Sequence, residues 1–310
     1  VRNPGSTLGL GWLGALLVLS GSPVAATALA LVAAGSISEI QGFTMLAGSR
    51  LGAAFVVLVV AVVYALRGGA GERVKPVSTA VMALSTTALI YLPAALIGLA
   101  ILRWEPFHSL ELQFPHQFAD LIDVSYGWIL TRVEAWPAAL VFLLGLGMLL
   151  LSFKLIDAVM PEMDEEHLGE SRLSWLRQKW TMFGFGSLIA LITMSVSVAL
   201  TVLVPLVAKK YVKREDIIPY IMGANITTLG DTMLAGFALN SPEAVRIVLA
   251  GIISTTILSV FVLAFFYPQV KRIIWKFQRQ MVKSKPRLAA FTLGLFLMPV
   301  LLILISGQVA

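Results

Sequence analysis

The chain of 310 residues is 58% hydrophobic and 13% charged, with a mean hydropathy of +0.88; soluble domains are about 45–50% apolar. The lack of cysteine excludes disulfides and thiolate metal sites, and the net charge of +6 is no nucleic-acid footprint, because most Lys and Arg lie in short segments between apolar runs. Apolar stretches near twenty residues recur, which leaves an all-α polytopic membrane protein.

In chain order, residues 8–34 are apolar but interrupted by Ser20-Gly21-Ser22-Pro23. Each half is shorter than the ~20 residues a crossing needs, and a continuous helix would hold Pro23 in its interior at a cost of about 3 kcal/mol. Two half-helices meeting at a turn avoid that cost, with Ser22 capping the second and Pro23 at its first position. The pattern predicts a re-entrant hairpin. Residues 42–66 and 77–101 cross, the first carrying Gly48-Ser49-Arg50-Leu51-Gly52 as an interruption. Residues 102–135 predict an exposed loop with interfacial helices, with Trp104, Trp128 and Trp136 as belt residues. Residues 136–161 cross, 162–182 are polar, and 183–208 form a second hairpin interrupted at Met194-Ser195-Val196-Ser197. Residues 217–240 predict a broken crossing, its irregular stretch running from Gly223 to Asp231. Residues 244–267 and 288–306 complete the set.

Charge sets the orientation. The segments 67–76, 162–182, 209–216 and 268–287 hold 17 of the 23 Lys and Arg, and the positive-inside rule places them in the cytoplasm. The protein is expected in a plasma or inner membrane, and this topology closes only if 8–34 and 183–208 are re-entrant from opposite sides. The basic run Lys271 to Arg287, interleaved with Ile273, Ile274, Trp275 and Phe277, predicts a helix lying on the anionic leaflet.

A constant shift of 175 residues aligns 8–51 with 183–226 at 11 identities in 44 positions, including Gly9/Gly184, Gly11/Gly186, Ser20/Ser195, Ser22/Ser197 and Gly48/Gly223. Three crossings separate the hairpins, and an odd number inverts the second repeat. The expected fold is therefore two inverted-topology repeats, each with a re-entrant helical hairpin and a broken transmembrane helix. The first covers 1–101, an extracytoplasmic loop covers 102–135, and the second repeat with a C-terminal helix covers 136–310. The crossing 136–161 has no counterpart in the first repeat, which predicts either a helix ahead of Val1 or its loss. Inverted repeats with discontinuous segments at matching places point to a secondary transporter with a midplane site.

At these motifs the chain resembles the type II sodium/phosphate cotransporter family and its bacterial relatives. Each repeat of that family reads roughly N-P-x-x-G-x-x-x-G, then Q-S-S-S, then G-A-N-I-G-T-T. Here the first repeat has Asn3-Pro4, Gly9, Gly11, Leu19-Ser20-Gly21-Ser22 and Gly48-Ser49-Arg50-Leu51-Gly52-Ala53-Ala54. The second has Gly184, Gly186, Met194-Ser195-Val196-Ser197 and Gly223-Ala224-Asn225-Ile226-Thr227-Thr228. The chain departs from the pattern where Leu19 and Met194 replace the glutamines, Gly21 and Val196 the middle serines, Arg50 the first-repeat asparagine, and Ala53-Ala54 its threonine pair. The resemblance implies phosphate as substrate and sodium as coupling ion, drawn from these motifs.

The residues themselves fit an anion site. Each hairpin tip aims the positive end of a half-helix at the interior, and Ser20, Ser22, Ser195, Ser197 and Thr201 carry hydroxyl donors. Small hydroxyl residues also serve helix packing. Asn225, Thr227, Thr228 and Asp231 offer oxygens to a cation, or Asp231 carries a coupling proton. Arg50, at the position matching Asn225, has four readings: it binds the anion, stands in for a cation, pairs with Asp231 across the pseudo-twofold, or snorkels to the interface. His108, His116 and His167 are widely separated, Lys154 and Asp157 form a local pair, and no catalytic or metal-binding spacing appears, so the chain is read as no enzyme. Sodium-coupled symport of phosphate or a similar oxyanion is the leading expectation. A proton-coupled transporter of another anion and a non-transporting structural or regulatory subunit are the alternatives; self-association into a homo-oligomer stays open.

Overall fold

The computed structural model describes residues 3–67, 74–108, 178–208 and 212–308, with a few isolated positions between 131 and 144. The expected crossing at 136–161, the Lys154–Asp157 pair, Trp128, His116 and His167 lie outside the described residues, as do most of the loop 102–135 and of the polar segment 162–182. Among the described residues every regular element is helical.

Helix α1 (Pro4–Val18) begins at Asn3, whose side-chain oxygen accepts the N–H groups of Gly5 and Ser6, and ends at Leu19 in the left-handed region at φ 56°. The chain turns there into α2 (Ser22–Ala33). The cap of α2 is Gly21 and not Ser22, which opens the helix at its first position with Pro23 behind it; the Ser22 hydroxyl is taken by a distant partner instead. A capping box of Ser38 and Gln41 starts α3 (Glu39–Ala53), and α4 (Phe55–Arg67) follows after a one-residue break at Ala54. Helix α5 (Val74–Leu102) contains Pro93.

The second half repeats these local features. Helix α6 (Lys179–Thr193) ends at Met194, again left-handed at φ 47°, before α7 (Val196–Ala208). Helix α8 (Ile217–Thr227) and helix α9 (Leu229–Ala238) are separated by Thr228 alone. Helix α10 (Pro242–Phe261) passes through a π-helical turn at Val262–Phe266 into the amphipathic α11 (Tyr267–Val282), and α12 (Lys285–Gln308) closes the chain.

Two expectations need correction. The backbone is helical through Gly48–Gly52, where an interruption was expected, and also from Gly223 to Thr227. The glycines serve close approach, not unwinding. A Cβ on Gly11 would collide with the Met45 carbonyl oxygen, and one on Gly48 with that of Leu8. At the same 175-residue shift, a Cβ on Gly186 would strike the Tyr220 carbonyl oxygen and one on Gly223 that of Phe183. Helix α1 therefore lies backbone to backbone on α3, and α6 on α8.

Among the described residues, four helical stretches are long and apolar enough to cross a membrane: Glu39–Leu66, Lys75–Leu102, Pro242–Val282 and Lys285–Ser306. The broken stretch expected at 217–240 is two helices of 11 and 10 residues that part at Thr228, within the expected 223–231, and neither is long enough to cross by itself. The interior holds one apolar cluster built mainly on α4, α5, α7 and α8 and another on α2, α3 and α10. The outside is also apolar. The apolar stretch of α12 is almost wholly unburied, and Leu293, Leu301, Leu304 and Ile305 face outward. An apolar exterior over long apolar helices is the pattern of a membrane-embedded protein.

Candidate functional site

The turn after α1 comes to meet the turn after α6. Ser197, in the first turn of α7, donates to the Leu19 carbonyl at 3.3 Å, so two hairpin ends that lie 178 residues apart in sequence touch. Beside them the α3 helix delivers Arg50 and the first turn of α9 delivers Asp231.

Arg50 is among the largest fully buried side chains of the described residues. Its side chain is 0% exposed, and its Nη2 stands 3.4 Å from Asp231 Oδ1, whose side chain is 15% exposed. The same Nη2 donates to Thr232 Oγ1, and that hydroxyl donates to Asp231 Oδ1 at 2.8 Å. The other carboxylate oxygen, Asp231 Oδ2, accepts the Ser22 hydroxyl. Asp231 thus lies at the uncapped N-terminus of α2 and in the first turn of α9, where two helix dipoles favour negative charge. Snorkelling of Arg50 is ruled out by its burial. The chain's own carboxylate sits in a place built for an anion.

The pairing leaves the guanidinium incompletely satisfied. Nε and Nη1 of Arg50 are buried without a hydrogen-bond partner among the described residues. A buried charged donor left unmatched costs more than an ordinary lost hydrogen bond, so these two N–H groups mark where a ligand oxygen would be welcome.

The other expected residues divide. Asn225 is fully buried; its Nδ2 donates to Thr87 Oγ1 at 3.2 Å, its carbonyl accepts the Tyr91 hydroxyl, and its Oδ1 has no partner among the described residues. Thr228 is buried with its hydroxyl on the Asn225 carbonyl at 3.4 Å. Thr227 turns away to the Ser187 carbonyl at 2.7 Å. Ser195 caps α7 by accepting the Val198 N–H at 3.3 Å, and Thr201 is spent inside its helix on the Val198 carbonyl at 3.0 Å. Ser20 is half-buried at the first turn. The structure therefore brings Ser22, Arg50 and Asp231 together, joins Ser197 to the same tip, and engages Ser195, Thr201 and Thr227 with backbone carbonyls or N–H groups.

Sequence reasoning missed Thr232, Thr87 and Tyr91. The last two stand four apart on α5, on one face of an apolar span, and that polar pairing inside a crossing is the signal that could have found them. It also missed Arg246 on α10, which pairs with Glu39 of α3 at 2.6 Å.

No family model, no curated protein and no solved structure matches this chain.

Proposed function

We propose that this chain is a secondary active transporter of a small oxyanion, with phosphate as substrate and sodium as coupling ion. In this reading the α1–α2 and α6–α7 pairs are re-entrant hairpins of two inverted repeats, and their tips meet at the midplane. The matched close approaches at a 175-residue shift and the paired left-handed residues Leu19 and Met194 support the repeat. The observation that carries the anion reading is Arg50: fully buried, held at a hairpin tip, with Nε and Nη1 unmatched among the described residues. Nε–H and Nη1 lie on different edges of the guanidinium, and each is a charge-assisted donor that one phosphate oxygen can accept. The unmatched Asn225 Oδ1 supports an oxygen-liganded cation nearby.

Uptake of phosphate into proteoliposomes under an inward sodium gradient tests this. Arg50→Lys keeps the charge and removes the two unmatched donors Nε and Nη1, and is expected to weaken phosphate affinity about 10–100-fold, the worth of one or two charge-assisted hydrogen bonds. Uptake that is absent with the fold intact, or indifferent to Arg50→Lys and Asn225→Ala, defeats the proposal. Ser197→Ala, which deletes only a tip contact, should cost stability about 1 kcal/mol or less.

One observation favours a second reading. Arg50 already has a counter-charge in Asp231, as a structural subunit that kept the fold without transport would require. That reading expects no shift in melting temperature with phosphate, sulfate or arsenate, and a clear shift with any of them counts against it.

A further inference from the structure

Beneath α11 lies a cavity of about 410 Å³ with almost wholly apolar walls. Helix α5 supplies one wall from Leu84 to Pro93, α12 supplies Phe291 and Leu295, and α11 roofs it with Ile273, Ile274 and Phe277. The α5 wall, from Leu84 to Pro93, spans about 14 Å at the helical rise, close to half the ~30 Å hydrocarbon core of a bilayer. Two polar side chains line the space. Ser85 is satisfied by the Val81 carbonyl at 2.6 Å. Trp12, on α1, has its indole Nε1 buried with no hydrogen-bond partner among the described residues. The cavity is apolar, with one unused donor among its lining residues.

The helix over this cavity carries a strong charge. Residues 267–282 contain four Lys and Arg and no acid. Lys271 is drawn to Asp216 at 3.7 Å and Arg279 stacks on Trp275, while Arg272 and Lys276 are exposed and line a surface pocket on the polar face. Ile273, 57% exposed, lies at the cavity's edge. Lys276 follows Ile273 by three residues and so borders that edge, and Arg272 lies one turn before Lys276 on the same face, where its long side chain flanks it.

We propose that this place is a site for a single anionic phospholipid. One acyl chain fills the cavity between α5, α11 and α12, and the headgroup phosphate meets Arg272 and Lys276 at its mouth. The occupant is set by two features together. The length and apolarity of the slot fit one leaflet's acyl chain, and the acid-free helix beside it selects a negative headgroup. The cavity lining includes none of Ser22, Arg50 and Asp231, and this inference does not rest on the transport proposal.

The test is lipid-dependent melting of the purified full chain in detergent. Dioleoyl phosphatidylglycerol is expected to raise the melting temperature by about 5 °C over dioleoyl phosphatidylcholine near saturation, with one retained phosphatidylglycerol per chain in native mass spectrometry. Ala88→Phe, which fills the slot from α5, should remove the stabilisation and the retained lipid. Leu295→Trp fills it from α12 and carries the same expectation if Ala88→Phe fails to fold. Arg272→Gln with Lys276→Gln should abolish the difference between the two lipids. Equal stabilisation by both lipids in the unaltered protein overturns the headgroup assignment. Lipid retention undiminished in a folded cavity-filling variant overturns the site.

Discussion

Asp231→Asn is expected to destabilise the protein by about 3–5 kcal/mol, the range for removing one partner of a buried ion pair. It leaves the Arg50 guanidinium charged, 0% exposed and without its counter-charge among the described residues. Arg50→Met should cost less, about 1–3 kcal/mol. Asp231 would keep the hydroxyls of Ser22 and Thr232, the two helix N-termini and some access to solvent. The double variant Arg50→Met/Asp231→Asn should recover most of the loss, because no buried charge is then left unmatched. Thermal melting of the four proteins checks this. Equal losses for the two single changes, or a double variant at the sum of both, would show that the pair is not the unit described here. If phosphate binds at Arg50, the double variant separates the two roles: restored stability with abolished binding.

Gly11→Ala and Gly223→Ala are expected to be the most damaging of the small substitutions, each at or above about 3 kcal/mol. The added methyl at each position meets a backbone carbonyl, of Met45 and of Phe183, and no side chain can rotate aside to make room. The helices would have to separate along a contact that runs the length of α1 on α3, or of α6 on α8. Gly184→Ala is the matched control. It lies in the same helix as Gly186, yet nothing approaches within 4 Å of its would-be Cβ, so alanine should stabilise by about 0.5–1 kcal/mol through helix propensity alone. Yield and melting temperature of the three variants decide the matter. A tolerated Gly223→Ala would mean that α6 and α8 are not packed this closely.

The partition between sequence and structure follows from range. Apolar length, the Ser-Gly-Ser-Pro interruption and the paired glycines are local signals, and they suffice to place helix pairs at 8–34 and 183–208 and to mark Arg50 and Asp231, whose pairing is one of four readings the sequence leaves open. Glycine, however, is ambiguous on its own. In a membrane-length helix it can mark unwound backbone or close packing, and only the neighbouring backbones of α1 and α6 show that Gly48 and Gly223 serve packing. Ser22 was similarly ambiguous. Its position before Pro23 fits a cap, but α2 opens one residue earlier, with Gly21 at the cap, and the Ser22 hydroxyl donates to a carboxylate 209 residues away. The charge of Arg50 and its depth in an apolar run were written in the sequence. Which of its N–H groups are used, and by whom, was decided by the meeting of α2, α3 and α9, because a hydrogen bond depends on ångström-scale placement that no residue spacing encodes.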